Sequence, residues 1–388
     1  MKKISQLLVY LLILQSLTAQ HTGNFFKGRT TGPLPFLEYG LGEDRLGGAK
    51  MTFLDTNILV KITDSINNKY KIELSQNHFA YLPKENFRAD SFIQLRPYYL
   101  TGNWKVSGDE KYDYVTITLD EKLPYRSVQE INPSRIVVDI FGATSNSNWI
   151  TQLSAATEIK NTWYEQIEDD VFRVFIELNH PQHWGYSIYY ENNKLVIRVK
   201  RQPQNLSLSK LKIAVDAGHG GDNTGETGRT SRIEEKNFTL KIAKELQQAL
   251  AAEHADVFMT REKDTTVSMI ERVTMLREQA PDFLISIHLN SSDIDTVKGA
   301  STYYRYIGFR PLSQFILKRL EELKLDEYGN VGGFNFGLNG PTDYPNCLVE
   351  VAFLSNKSDE RKILDPGFRK VVAVKIVAGI KDWLQSLK

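Results

Sequence analysis

The feature that most constrains the fold is a change of pattern near residue 211. Beyond it, apolar strand-like runs such as KIAVD, DVFMT, FLISIHL, STYYRY and CLVEVAF alternate with amphipathic helical patterns. We expect the helices at Glu234–Glu253, Ser268–Gln279, Leu312–Leu325 and Pro366–Leu387. This alternation predicts an α/β domain over residues 211–388, with a mostly parallel sheet and helices on both faces.

The chain before this point has a multidomain, all-β pattern. Short runs in residues 23–90, including KMTFLD, ILVKI and YKIEL, predict a small β-barrel. Longer alternating runs in residues 91–200, such as YVTITL and RIVVDIFG, predict a β-sandwich. The polar stretch RQPQNLSLSK at 201–210 is typical of a linker. His180 and His183, in the earlier run NHPQHW, are interpreted as solvated loop histidines.

The first 19 residues have the pattern of a signal peptide. Two lysines precede a short apolar run, which ends in small and polar residues. An exported protein is therefore expected, with the periplasm as its compartment, and an uncleaved anchor is the alternative. No later segment reaches membrane-spanning length, so no transmembrane segment is expected after signal removal. The formal charge of +1 gives no indication of nucleic-acid binding, and the single cysteine excludes an internal disulfide.

Two histidines follow the ends of predicted strands. His219 comes directly after KIAVD, in the glycine-rich turn AGHGG, and His288 closes FLISIHLN beside Asn290. Because ligands bind at the carboxyl ends of strands in such sheets, the two imidazoles are expected to converge. A phosphate-binding loop does not fit, since GHGGDNTG matches neither of the glycine fingerprints for phosphate binding.

Helix geometry selects a third candidate ligand. With Phe238 set to zero and about 100° per residue, Glu235 lies near 60°, at about the centre of the apolar stripe. Glu234 lies near about −40°, at its edge, on the same scale. A carboxylate centred on a buried face needs a partner, although a simple role in the helix dipole is the alternative. Two histidines and one glutamate are a common catalytic set for Zn²⁺.

Glu350 is the candidate catalytic carboxylate. It interrupts the apolar run CLVEVAF, where burial raises a carboxyl pKa towards the range useful for proton transfer. The alternative is a structural glutamate paired with Arg261 or Arg272.

Four motifs in order, VDAGHGG, IEEKNFTL, SIHLN and LVEVAFLSN, resemble the zinc-dependent N-acetylmuramoyl-L-alanine amidase family. The resemblance covers residues 211–388 and implies that His219, Glu235 and His288 bind Zn²⁺. It implies that Glu350 is catalytic. Leu289 and Ala352 depart from the residues more usual in the family.

The same resemblance identifies Arg261, Asp264 and Arg272 as supporting residues. Upstream, PSRIVVDIFGA and the strands after it resemble an AMIN domain, and LEYGLGEDRLGGAKM resembles bacterial Src-homology-3-like domains. These likenesses imply a cell-wall hydrolase acting on peptidoglycan, with envelope partners for the N-terminal domains. A peptidase acting within stem peptides and a catalytically dead wall-binding regulator are the alternatives. No long helical insertion that would block the site is seen between His288 and Glu350.

Overall fold

The computed structural model describes residues 26–42 and 47–388. The signal peptide predicted at residues 1–19 lies outside these ranges. Of the helices in the described ranges, none is both long enough and apolar enough to cross a membrane.

The first β region is one antiparallel sheet. Its order is β3-β2-β6-β5-β4-β1-β7. No ladder joins the outer strands β3 and β7 within the described residues, so closure into a barrel stays a prediction and β3 is an edge strand. The strands are β1 (Phe26–Thr30), β2 (Phe36–Glu38), β3 (Lys50–Phe53), β4 (Leu59–Ile66), β5 (Lys69–Ser75), β6 (His78–Pro83) and β7 (Phe87–Ala89).

The second β region is a sandwich of two sheets. One has the order β10-β11-β15-β14 and the other β12-β8-β9-β17-β16, with β13 also pairing with β8. Trp104 connects them, since its ring lies 5.4 Å from Tyr164 and 5.7 Å from Phe172 in the opposite sheet. The strands are β8 (Tyr99–Gly108), β9 (Tyr112–Leu119), β10 (Tyr125–Ile131), β11 (Ser134–Phe141), β12 (Ala143–Thr144), β13 (Ile150–Gln152), β14 (Ile159–Glu168), β15 (Val171–Leu178), β16 (Tyr186–Glu191) and β17 (Lys194–Lys200).

These two β regions share one hydrophobic core. Leu37 and Ile58 of the first region belong to the same buried cluster as Phe141 of the second. The backbone also connects the regions, because the N–H of Leu59 donates to the carbonyl of Lys122 at 2.9 Å. The boundary predicted near residue 90 therefore lies within a continuous core.

The C-terminal region is an α/β domain whose sheet has the order β19-β18-β20-β23-β21-β22. The sheet is mixed, because β21 runs antiparallel to β23 while the other four pairings are parallel. The strands are β18 (Lys212–Ala217), β19 (Asp256–Met259), β20 (Phe283–Asn290), β21 (Ala300–Tyr303), β22 (Glu327–Val331) and β23 (Asn346–Phe353). The helices are α1 (Glu235–Ala252), α2 (Met269–Gln279), α3 (Arg310–Glu321), α4 (Lys357–Leu364) and α5 (Pro366–Ser386).

Different elements cover the two faces of this sheet. Side chains alternate along a strand, so Ile213 and Val215 of β18 point into a core with α1, α3 and α5, while Ala214 points to the opposite face. On that second face Ala214 clusters with residues of α2 and with Leu34, and Phe53 of β3 packs against the cluster. The N-terminal region and α2 therefore together cover the second face of the sheet.

Close contacts also join the sandwich to the α/β domain. The rings of Trp184 and Trp383 pack in a tilted arrangement with their centroids 5.3 Å apart, and Tyr186 exchanges two hydrogen bonds of 2.7 and 2.8 Å with Thr342. In the stretch predicted as a linker, Leu206 and Leu208 are buried in the core of the α/β domain.

The interpretation of His183 as a solvated residue is wrong. Its side chain lies at the junction between the sandwich and the α/β domain, where the residue is 1% exposed and donates from Nε2 to the carbonyl of Glu130 at 2.9 Å. Burial lowers its pKa to about 4. His180 is partly exposed and pairs with Glu158 at 2.7 Å. The sequence pattern missed this junction because the contacting segments are far apart along the chain.

Candidate metal centre and active site

The first element of the site is the glycine-rich turn that follows β18. His219 adopts a left-handed backbone conformation with φ of 61°, which is uncommon for a residue with a side chain and occurs often at functional sites. Gly218 before it allows close packing, because a Cβ at that position would lie 2.4 Å from Cε1 of His288. The turn therefore brings the backbone of one strand end directly against the histidine of the next.

Two histidines and one glutamate converge at this edge of the sheet. Nε2 of His219 lies 3.1 Å from one carboxylate oxygen of Glu235, and Nδ1 of His288 lies 3.1 Å from the other. One ligand atom from each residue falls within 4.8 Å of the others. The side chains are 21%, 2% and 7% exposed for His219, Glu235 and His288, so the cluster is shielded and open only beside His219.

Glu235, and not its neighbour Glu234, reaches both imidazoles. Glu235 is the first residue of α1 and its carboxylate also accepts hydrogen bonds from the N–H groups of Glu226 at 2.8 Å and Leu289 at 3.0 Å. Glu234 precedes the helix, and its half-exposed carboxylate lies 3.6 Å from Nζ of Lys236. The position on the apolar stripe of α1 accounts for this difference.

The electrostatics of the cluster favour an ionised carboxylate. Burial alone would raise the pKa of Glu235, but the hydrogen bonds and charges of His219 and His288 hold it well below its usual range. Burial likewise acts to lower the pKa of His219, while Glu235 and then Asn223 raise it above the ordinary value. Nδ1 of His219 lies 2.9 Å from Oδ1 of Asn223, which leaves Nε2 directed towards Glu235.

Arg261 holds the turn and the helix start together. Its buried guanidinium donates to the carbonyl groups of Ala217 at 2.9 Å, Gly218 at 2.9 Å and Lys236 at 2.8 Å. It also donates to the hydroxyl of Thr239 at 3.1 Å, and this hydroxyl itself donates to Gly218. A single side chain therefore fixes the spacing between the elements that carry His219 and Glu235.

Arg272 anchors the other side of the same turn. It donates to the carbonyl of His219 at 2.5 Å and forms a buried ion pair with Asp216. Burial acts to raise the pKa of Asp216, but the charge of Arg272 and the hydroxyl groups of Ser286 and Thr260 lower it below the ordinary value. Asp216 was not predicted from the sequence, although a carboxylate at the end of an apolar strand is a signal that could have found it.

Asp264 supports the outer rim of the turn. One carboxylate oxygen accepts from the N–H of Gly221 at 2.7 Å, and the other pairs with Nζ of Lys236 at 3.0 Å. Lys236 in turn donates to the carbonyl of Gly221 at 2.8 Å. The structure thus places all three predicted supporting residues, Arg261, Asp264 and Arg272, around the backbone that carries His219.

Glu350 lies beside the cluster on the next strand. It is the register partner of His288 across the parallel pair β20–β23, so both side chains leave the sheet on the same face. It is partly buried, and across its other edge its partner is Ser301 of β21. Arg261 and Arg272, the partners considered for a structural role of Glu350, instead hold the glycine turn.

An aromatic wall that the sequence patterns did not indicate borders the site. Phe336 packs edge-to-face on the ring of His288 at 5.1 Å, and Phe334 packs on Tyr303 at 4.5 Å. The hydroxyl of Tyr303 accepts a hydrogen bond from Asn290 at 3.2 Å. Both phenylalanines lie in the segment 332–339 between β22 and β23, where no periodicity marks them.

An α/β domain with two histidines and a buried glutamate at the carboxyl edge of its sheet is typical of metal-dependent hydrolases. Comparison with known families makes this assignment specific. Residues 213–382 match the N-acetylmuramoyl-L-alanine amidase family model, and residues 103–199 match the AMIN domain model. The chain thus carries a domain of this amidase family preceded by an AMIN domain, which confirms the resemblance seen in the sequence motifs.

Curated relatives align with the C-terminal half. The chain is 35% identical over 187 residues to the probable cell wall amidase LytH of Staphylococcus epidermidis, covering 47% of this chain and 62% of that protein. It is 31% identical over 196 residues to the probable cell wall amidase LytH of Staphylococcus saprophyticus, covering 50% of this chain and 66% of that protein. The chain therefore spans less than two thirds of the length of these relatives.

Solved structures align with the same region. An N-acetylmuramoyl-L-alanine amidase from Clostridium difficile 630 is 31% identical, with 46% of this chain and 98% of that chain covered and a TM-score of 0.44. The catalytic domain of CwlV, an amidase from Bacillus (Paenibacillus) polymyxa var. colistinus, is 29% identical, with 46% and 99% covered and a TM-score of 0.43.

Proposed function

We propose that this protein is a zinc-dependent peptidoglycan hydrolase. It cleaves the amide bond between the lactyl group of N-acetylmuramic acid and the first L-alanine of the stem peptide. The observation that carries the proposal is the convergence of His219, Glu235 and His288, with Glu350 in register beside His288. The match of residues 213–382 to the amidase family supports the choice of bond.

The donor set fits Zn²⁺. Two imidazoles and one carboxylate are a usual catalytic set, and tetrahedral ligands at zinc distances lie about 3.3 Å apart, close to the observed 3.1 Å contacts. Asn223, which contacts His219, and the backbone N–H groups that contact Glu235 are the outer hydrogen bonds that orient such ligands. When bound, Zn²⁺ would polarise the scissile carbonyl and lower the pKa of a water molecule.

Glu350 acts as the general base and then as the general acid. It takes the proton of the attacking water and delivers it to the amide nitrogen of L-alanine, which leaves as a free amine. Its place on β23 beside His288 suits this role, because both side chains lie on the face where the ligands converge. Arg261 and Arg272 act indirectly, by holding the backbone that carries His219.

Export to the cell envelope completes the proposal. The substrate lies outside the cytoplasm, and the pattern of residues 1–19 predicts a signal peptide. The AMIN domain and the first β region would contact the wall or envelope partners.

Mass spectrometry of purified peptidoglycan treated with the zinc-loaded protein tests the function. We expect free stem peptides that begin with L-alanine and glycan chains that keep their lactyl groups. Glu350→Gln is the control and should release far less of both products. Fragments cut between stem amino acids would instead show a peptidase. Binding to the wall with no cleavage would show a non-catalytic wall protein.

A further inference from the structure

The aromatic wall of the site is attached to the first β region through Asn335. The amide oxygen of Asn335 accepts from the backbone N–H of Lys50 at 3.0 Å, and its amide nitrogen donates to the carbonyl of Gly48 at 2.9 Å. Lys50 begins β3 and Gly48 lies two residues before it, so the side chain pairs with the outer edge of β3 and the residues that lead into it, as a further strand would.

Arg305 forms a second connection between the α/β domain and β3. It donates to the carbonyl of Lys50 on the same edge and to Oδ1 of Asn335 at 3.3 Å. Arg305 follows β21, which carries Tyr303, so the contact connects two elements of the α/β domain to the N-terminal region. The backbone carbonyl of Tyr304 also accepts from the N–H of Phe334 at 3.1 Å, which fixes the segment against β21.

Asn335 lies between the two phenylalanines of the wall. The segment is extended here, and Phe336 has φ of −80° and ψ of 144°. Side chains alternate in an extended segment, so Asn335 faces β3 while Phe334 and Phe336 face Tyr303 and His288. Fixing Asn335 therefore fixes both rings, and Phe53 of the same β3 strand packs with Phe336 on one cluster.

We propose that the first β region is a positioning element of the hydrolytic site. Asn335 and Arg305 join its edge strand to the segment 332–339 and so set the aromatic wall that the substrate meets beside His288. This inference rests on the proposed function only for its kinetic readout. It goes beyond a wall-attachment role for the N-terminal region, because that region also shapes the catalytic cleft.

The test compares two amide side chains in the full chain, Asn335 and Gln182. Asn335→Leu removes the contact with β3 at similar side-chain volume. Gln182→Leu is the matched control, because Gln182 also joins two domains, donating to Gly308 at 2.7 Å and accepting from Trp383 at 3.1 Å. For a soluble muropeptide we expect Asn335→Leu to raise KM about fivefold to tenfold with a smaller change in kcat, while Gln182→Leu leaves KM near the wild-type value.

A double-mutant cycle shows whether the effect passes through the ring. Because Asn335 acts by placing Phe336, the KM change caused by Asn335→Leu should largely vanish in a Phe336→Ala background. Additive effects, or equal KM changes in Asn335→Leu and Gln182→Leu, would overturn the proposal.

Hydrogen exchange supplies a readout that does not depend on activity. Asn335→Leu should speed exchange of the amides in 332–338 without changing exchange in β18 or the zinc content. Unchanged exchange in 332–338 would also overturn the proposal. If the wild-type protein fails to cleave muropeptide while exchange responds as expected, the proposed activity fails and the positioning contact stands.

Discussion

The glycine turn that carries His219 and the aromatic segment 332–339 border one site, yet only the aromatic segment is also held by the first β region. The turn is fixed from within its own domain, since Arg261 and Arg272 bind its carbonyl groups from nearby elements. The aromatic segment is held by its own domain through the carbonyl of Tyr304 and also from outside, by a contact between Asn335 and Lys50 that spans 285 positions of the chain. The candidate metal centre therefore lies within the α/β domain, whereas the cleft beside it also contacts the first β region.

The largest expected effect concerns Glu350, which adjoins both regions. Glu350→Gln removes the proposed proton carrier but keeps a similar shape, so turnover should fall by about two to four orders of magnitude. Zinc content and the melting temperature should stay near the wild-type values. Steady-state kinetics with metal analysis provides the check, and a folded, zinc-loaded variant that hydrolyses muropeptide at the normal rate would refute the role of Glu350.

A second effect separates the two glutamates at the start of α1. Glu235→Ala removes a candidate ligand, and we expect zinc affinity to fall by more than about a hundredfold, because loss of an outer contact alone costs tenfold to a hundredfold. Glu234→Ala is the control, since its carboxylate is half-exposed and outside the cluster. Chelator competition measures both affinities. Equal losses in the two variants would show that the wrong carboxylate was chosen.

A third effect compares Arg261, which holds the glycine turn within the α/β domain, with Asn335, which joins the aromatic segment to the first β region. Arg261→Met loosens the turn and the helix start, so zinc affinity should fall by about tenfold to a hundredfold. Lys263→Met removes a neighbouring exposed charge without breaking these contacts and should leave affinity unchanged. In the same chelator assay Asn335→Leu should also leave affinity unchanged. A larger zinc loss in Asn335→Leu than in Arg261→Met would reverse the comparison.

The smallest effect concerns His183 at the junction of the sandwich and the α/β domain. Its folded-state pKa of about 4 lies below the unfolded value of about 6.5, so the unfolded chain gains the proton first. The contribution of neutral His183 to the free energy of unfolding is complete above about pH 6.5 and is lost as the pH falls towards 4. The loss at pH 5 is about 1–2 kcal/mol. Calorimetry at pH 7 and pH 5 should therefore show a smaller drop in melting temperature for His183→Gln than for the wild type. An equal drop would exclude this role.

The sequence could predict the features that depend on local pattern, but not those that depend on contacts between distant segments. His219, His288 and Glu235 could be predicted from the sequence, because strand ends and helix faces follow local periodicities that a single sequence displays. The sequence could not predict the roles of Asn335 and Phe336 or the burial of His183, because each depends on which segments distant along the chain come into contact. The shared core of the two β regions and the coverage of the second sheet face by Leu34 escaped prediction for the same reason.

The central claim is that two imidazoles and one carboxylate of the α/β domain bind a single Zn²⁺. X-ray absorption at the zinc edge of the one-equivalent zinc-loaded protein tests it directly. We predict two imidazole ligands with the remaining ligands oxygen, and the loss of one imidazole in both His219→Ala and His288→Ala. A zinc–sulfur distance, a single imidazole in the wild type, or spectra unchanged in the two histidine variants would contradict the account.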